Sequence, residues 1–364
     1  MHSLDLGRPT FPALFLLEHA AAPSPLPPPS LPSALLASAL SRTMTGSGKD
    51  DARSSAADAV FAQYERAESA QYYKIVSGDG SGHVHYGVYN APDVPTAVAA
   101  DETIHTLRRL GEAAGAVIGP GVRVLDIGAG TGGPAHLLAT STGASVTCLN
   151  LCEKQNAVNR AVIERDGLGD LVDVVHGSFD DLPTEWTGTF DVVWSQDAIC
   201  HAADKGPVFT EAGRVLKPGG YFMITDIMAG PCSEPASLES FKARLRISEL
   251  LTEAQYESGL AVAGINTLRT RDLTGQLVPN YRRMLRRCTT ERARMPACSE
   301  DYLETVKGQL RTEIEALREG EAQVWIFLVG RKRGAATNGG ATDVNTPAGV
   351  GDTNGTAATN GVGA

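Results

Sequence analysis

Residues 124–133 read VLDIGAGTGG, which places Gly128, Gly130 and Gly133 at GxGxxG spacing and Asp126 two residues ahead of the first glycine. Glycines so spaced let a chain turn sharply off a strand and bring its backbone against a ligand at a helix N-terminus, where unpaired N–H groups favour polar or anionic atoms. The pattern points to a nucleotide-type ligand. It does not say which one, because dinucleotide-binding folds carry the same fingerprint.

The neighbouring segments narrow the choice. A carboxylate at Asp126 would approach a pyrophosphate, so it suits a ligand that is cationic at this end, whose ammonium it could hold through the loop amides or a water. Twenty residues past Gly130, the next apolar run ends at Asn150 and Leu151, where ribose hydroxyls are contacted in such folds. Asn150 can both accept from and donate to a diol. After the third run comes GSFDDLP, in which Phe179 can lie on an adenine face and Asp180 can accept from its exocyclic amine. Each piece has a plainer reading: Asp126 as a strand-end cap, Asn150 as a turn residue, Phe179 as a core ring. Their order and spacing together favour S-adenosylmethionine.

These residues need a frame, and the chain supplies one. Short β-branched runs (VRVLDIG, SVTCLNL, VDVVHGSF, FDVVWSQ, YFMITDI) alternate with helical periods, the pattern of a doubly wound parallel sheet. QVWIFLVGRK reads as a further strand. Apolar and aromatic residues at helical intervals from Val60 to Tyr73, then SGDGSGHVHYGVY, read as a helical lid and its loop; another helix is expected from Thr96 to about Ala116.

In a chain of 364 residues, the first fifty are crowded with Ala, Ser, Leu and Pro, and the stretch after Arg333 is almost wholly Gly, Ala, Thr and Asn. Neither end offers enough apolar surface to offset its ordering entropy. The expected division is a disordered or targeting segment at 1–55, a catalytic domain at 56–333 and a low-complexity tail at 334–364. Within the domain we expect a lid at 60–90, a cofactor-binding core at 96–227, substrate-side helices at 228–320 and a last strand at 321–332. Met44 opens a second plausible start, and a cytoplasmic location is expected, with organelle targeting by residues 1–43 as the alternative.

A net charge of −10 opposes nucleic-acid and anionic-membrane binding, and no apolar run reaches the roughly eighteen residues of a membrane span. The exception is the arginine-rich stretch from Arg269 to Arg294, opposed only by Asp272 and Glu291 and read as a solvated or salt-bridged helical face. The cysteines at 148, 152, 200, 232, 288 and 298 show no CxxC or Cys/His ligand spacing; reduced thiols and no metal site are expected. Cys200 beside His201 lacks an evident orienting group and reads as a core thiol.

Several strings resemble one family, the betaine-pathway sarcosine/dimethylglycine N-methyltransferases and their small-molecule class I relatives: HVHYGVY, CLNLCEKQNAVNR, WSQDAICH, RVLKPGG and DLTGQLVPNY beside the glycine loop. The resemblance runs from about Tyr72 to Lys332. It implies an α/β fold with a doubly wound, seven-stranded, mostly parallel sheet, Rossmann-like, carrying an N-terminal helical lid and a helical insertion. It also implies cofactor contacts at Gly128, Gly130, Asn150, Leu151, Gln155, Ser178, Phe179 and Gln196, with the donor's methionine end near Tyr73. Acceptor residues would come from Asp197, His201 and the segment Asp272 to Tyr281. The lid departs from the family pattern, with no tryptophan in SGDGSG and with Tyr86 where an aliphatic residue is common.

Methyl transfer from a sulfonium is an in-line displacement, so the main task is to hold a neutral nucleophile about 3 Å from the methyl carbon with water excluded. An amine acceptor must first lose a proton, for which His201 is the first candidate and Asp197 the next. Tyr72, Tyr73, Tyr86 or Tyr281 could offer aromatic faces to a positive centre. An acceptor carboxylate would want an arginine fork from Arg244, Arg246, Arg282 or Arg283, of which Arg282, beside Tyr281, is carried as the expected one. The leading expectation is N-methylation of sarcosine or dimethylglycine toward glycine betaine. The alternative is S-methylation of a methylthio acid such as 4-methylthio-2-hydroxybutyrate, toward dimethylsulfoniopropionate; further off stands an NAD(P)-dependent oxidoreductase, for which no convincing catalytic pair is present.

Overall fold

A computed structural model describes residues 66–78, 82–320 and 322–334. The expectations for 1–55, for the start of the lid helix, for the middle of SGDGSG and for the tail beyond 334 lie outside the described residues.

Five strands run parallel: β1 (Arg123–Ile127), β2 (Ser145–Asn150), β3 (Val172–His176), β4 (Phe190–Gln196) and β5 (Leu216–Ala229). Two more complete the sheet, β6 (Ile265–Asp272) and β7 (Gln323–Lys332), with β7 antiparallel to both its neighbours. The order is β3-β2-β1-β4-β5-β7-β6, the seven-stranded, mostly parallel sheet expected. Strand order reverses between β1 and β4, and the crevice at the carboxyl ends on either side of such a reversal is where ligands bind in open α/β sheets.

The strands are apolar on both faces because helices cover both. Val124, Val146, Trp194 and Phe327 join one buried cluster, while Leu125, Leu149, Val193 and Leu328 join the other. Alternate residues thus serve opposite layers, as a period of two demands. The covering helices include α1 (Ala67–Tyr72), α2 (Thr96–Glu112), α3 (Gly133–Thr142), α4 (Glu153–Asp166), α5 (Lys205–Val215), α6 (Pro235–Leu245), α7 (Glu253–Val262), α8 (Leu277–Thr290) and α9 (Glu300–Glu319). Helix α1 runs directly into a π-helical turn, Tyr73–Ser77.

Two expectations are corrected. The 228–320 stretch is not purely helical, since it contains β6. Only Ile265 of that strand is buried, so INTLRTRD lacks the apolar alternation that would mark it; an edge strand with a wetted face gives little pattern. The arginine-rich stretch is therefore no single helical face: Arg269 and Arg271 lie on β6 and the rest on or after α8. Some grip the lid, Arg287 donating to the Ile75 carbonyl (3.2 Å) and Arg283 lying 3.6 Å from the centroid of the Tyr89 ring while donating to the Pro92 carbonyl.

Candidate functional site

The glycine loop connects β1 to α3. Gly128 has φ +78°, and a Cβ there would come within 2.5 Å of the Ala198 methyl, so a side chain meets both left-handed strain and a clash. At Gly133 a Cβ would lie 2.5 Å from the His83 ring; this glycine lets the lid loop descend onto the helix start. The loop is pinned from β2, with the Gly128 and Ala129 amides both donating to the Leu149 carbonyl (2.8 and 3.1 Å).

That pinning corrects one expected role of Asp126, which holds no loop amide. Asp126 is 2 % exposed, one carboxyl oxygen meets no partner among the described residues, and burial pushes its pKa up to about 7. It sits on β1 two residues before Gly128 and is not itself part of the cavity lining. An unpartnered buried carboxyl is costly, and a nearby ammonium would relieve that cost.

Beyond the loop, a cavity opens along the ends of β1, β2 and β4. Gly128 and Gly130 form its floor, with Val84 of the lid above, and Ser178, Phe179 and Asp180 at the β3 end. Asn150, Leu151 and Gln155 line it from β2 and α4, and Gln196, Asp197 and His201 from β4 and the turn that follows. The sequence-derived cofactor set thus meets in one cavity, Asp126 excepted.

The polar atoms on the wall are arranged for a polar ligand. The Asn150 amide nitrogen donates to Gln155 Oε1 (3.1 Å), to Asn156 Oδ1 (3.3 Å) and to the Cys152 carbonyl (3.3 Å). With its NH2 so occupied, Asn150 can only accept from a hydroxyl, narrower than its expected double role. Gln196 accepts from Trp194 Nε1 (3.3 Å), while its own buried NH2 meets no partner among the described residues, a donor prepared for a ligand. Asp180, expected to accept from an adenine amine, accepts a short hydrogen bond from the Ser178 hydroxyl.

The two proposed proton acceptors differ from expectation. Burial, aided by the nearby Lys205 charge, lowers the His201 pKa to about 4, so its imidazole is neutral near pH 7. The Lys205 ammonium is itself buried and donates to the carbonyls of Cys200, Ala202 and Glu249 (3.2, 2.8 and 2.6 Å). Asp197 is the larger correction. Its carboxylate accepts from the Tyr86 amide (3.0 Å), from Thr225 Oγ1 (2.8 Å) and from Trp325 Nε1 (2.8 Å). Three donors on two oxygens leave it poorly placed to take a proton from a substrate. Cys200 is buried, its thiol pushed up by burial, and all six cysteines are free, as expected.

Of the acceptor candidates, Tyr86 and Tyr281 come together, rings 5.6 Å apart and edge to face, with Trp325 5.9 Å from Tyr86. Burial raises both phenol pKa values, so the two rings act as neutral hydrogen-bonding groups. Tyr73 lines an adjoining cleft with His83, Thr131 and Gln155. Arg282 does not join them, for it is exposed while its neighbour Tyr281 is buried; adjacent helix residues face about 100° apart. The buried guanidinium is Arg244, paired with Glu313 through two hydrogen bonds (2.8 and 2.7 Å) and lying 5.4 Å from the Tyr281 ring centroid.

Sequence reasoning missed how the lid is held. Asn280 accepts from the Gly87 amide (3.0 Å) and donates to its carbonyl (2.8 Å); Gln276, one turn earlier, accepts from the Tyr89 amide (2.9 Å). Side-chain amides thus replace a neighbouring strand. The available signal was the i, i+4 amide pair inside GQLVPN.

The methyltransferase-domain family matches residues 125–224. The sarcosine/dimethylglycine N-methyltransferase of Aphanothece halophytica is 36% identical, over 72% of this chain and 95% of that one. The glycine/sarcosine/dimethylglycine N-methyltransferase of Actinopolyspora halophila is 35% identical over 74% of this chain, which spans only 46% of that longer protein. Among solved structures, a candidate sarcosine dimethylglycine methyltransferase from Galdieria sulphuraria superposes with TM-score 0.66 and 31% identity, covering 72% of this chain and 97% of the other. With more than a third of positions shared along nearly the full length of one such enzyme, the chain is a methyltransferase and belongs to the sarcosine/dimethylglycine N-methyltransferase family.

Proposed function

We propose that the chain transfers the methyl group of S-adenosylmethionine to the nitrogen of sarcosine or dimethylglycine, toward glycine betaine. The observation that carries this is the cavity at the strand-order reversal, where the Gln196 NH2 has no partner among the described residues. Asp126, two residues before Gly128, likewise keeps one oxygen unpartnered among them. Gly128, Gly130, Leu151 and Gln155 would position the donor, with Asn150 accepting from its ribose, Ser178 and Phe179 at its adenine, and Tyr73 toward its methionine end. The relatives' names supply the acceptor class.

The donor supplies an electrophilic methyl carbon, and the chain's part is placement and dryness. With its pKa lowered to about 4 by burial, the neutral His201 imidazole is a weak acceptor for a proton from an alkylammonium. The amine instead enters in its neutral form, its proton left on bulk water before binding, because burial disfavours a charged amine. Tyr86 and Tyr281 would then present ring faces to the cation that forms. A panel of sarcosine, dimethylglycine and 4-methylthio-2-hydroxybutyrate with methyl-labelled donor tests the reading; labelled glycine betaine is expected, and turnover of the thioether alone would overturn it.

A further inference from the structure

Asp197 is one of two described non-glycine residues in the left-handed region, with φ +51°. Strain of that kind persists where the surroundings over-determine it, and it concentrates at functional positions. Here the surroundings come from three separate places. The lid donates the Tyr86 amide to Oδ2, while β5 and β7 donate the Thr225 hydroxyl and the Trp325 indole to Oδ1. A neutral carboxylic acid would waste its proton among these donors, so the geometry calls for the carboxylate. The same residue lines the donor cavity.

The lid segment it holds is fixed on its other side as well. The Tyr86 carbonyl accepts from Thr103 Oγ1 (2.8 Å) and His85 Nδ1 (3.0 Å). Upstream, Thr131 of the glycine loop donates to the Gly82 carbonyl (2.6 Å), and Val84 lies over Gly130. Downstream, the Tyr86 ring meets Tyr281 and Trp325 edge to face. The Tyr86 peptide therefore joins the roof of the donor cavity to the aromatic wall, and Asp197 fixes that peptide from the cavity side.

We propose that Asp197 is a positioning residue, the clasp that holds the lid closed over the methyl donor and sets the Tyr86 ring against Tyr281 and Trp325. This rests on the assignment of the cavity to the donor. With its strained backbone, Asp197 turns one oxygen to the lid and the other to the sheet. Proton transfer is no part of its role.

The test is Asp197→Asn, which tolerates the same backbone conformation but turns an NH2 toward one set of donors. Hydrogen exchange followed by mass spectrometry reads the lid directly, in the free protein and with S-adenosylhomocysteine. Losing one hydrogen bond to a charged group predicts exchange about tenfold faster in peptides covering residues 83–89, and a donor KM about tenfold higher. Trp325→Phe removes one donor from Oδ1 and leaves the Tyr86 bond, so a smaller change of the same kind, roughly threefold, is expected. Unchanged exchange at 83–89 in Asp197→Asn would overturn the proposal. So would faster exchange spread evenly through the sheet, the mark of a purely structural residue, or a fall in kcat with lid exchange and donor KM unmoved. Exchange in the free protein reads the clasp even if no acceptor is turned over, which separates failure of the clasp from failure of the assigned reaction.

Discussion

The donor edge and the lid face each other across one cavity but are built differently. At the donor edge, Asn150 and Gln196 end parallel strands, the glycine loop and GSFDDLP follow others, and they meet because the sheet brings these ends into line. At the lid the holding contacts cross long stretches of chain: Tyr86 to Asp197, Gly87 to Asn280, Tyr89 to Gln276. The first arrangement follows from local pattern and fold rules. The second is a set of single pairings between side chains and backbone groups, any of which can be lost separately.

Perturbing the two regions should have distinct signatures, and the largest effect belongs to neither edge alone. Arg244 and Glu313 are 3 % and 1 % exposed in their side chains, and removing one partner of such a pair leaves a buried charge uncompensated. Glu313→Ala is expected to cost about 3–5 kcal/mol of stability, read as a lower denaturant midpoint. At the donor edge, Gly128→Val adds a clash with Ala198 to left-handed strain. It should weaken S-adenosylhomocysteine binding by about a hundredfold, or ~2.7 kcal/mol, measured by calorimetry, with lid exchange in the free protein little changed. Gln196→Leu removes a single donor, and about tenfold in the same titration is expected.

The last effect is a pH dependence at Asp126. Its folded pKa is raised to about 7 from 3.8, so the folded protein holds a proton there that the unfolded chain releases above pH 4. Stability of the ligand-free protein from this group is full below about pH 4, falls as pH rises toward 7 and is level above. The donor's ammonium favours the ionised carboxylate, so donor affinity should fall below pH 7 by at most tenfold per pH unit. Asp126→Asn should flatten that profile; an unchanged profile would remove Asp126 from the donor's surroundings.

The same contrast explains what the sequence revealed. Alternating apolar runs disclosed β1 to β5 and β7; residue types at fixed offsets pointed to Gly128, Gly130, Asn150, Leu151 and Phe179 of the cavity wall, and the family resemblance added Gln155, Ser178 and Gln196. Strand β6 escaped because a largely exposed edge strand carries no apolar stripe. Asp197 was read as a candidate base because its type and position permit that role, and only its three donors revealed a clasp. Residue type and spacing could not separate Arg282 from Arg244, Arg246 or Arg283, and only the fold buried Arg244. Type and spacing reveal a site whose parts are aligned by strands; they do not reveal pairings made by chain segments more than a hundred residues apart.

The central claim is methyl transfer to an amine nitrogen in this cavity. Incubating the protein with S-adenosylmethionine carrying a 13C-methyl and with dimethylglycine, then following the carbon by NMR, tests it most directly. A new trimethylammonium resonance from glycine betaine, growing in step with S-adenosylhomocysteine, is expected. Donor consumed without that resonance, or no consumption of donor across the amine acceptors, would contradict it.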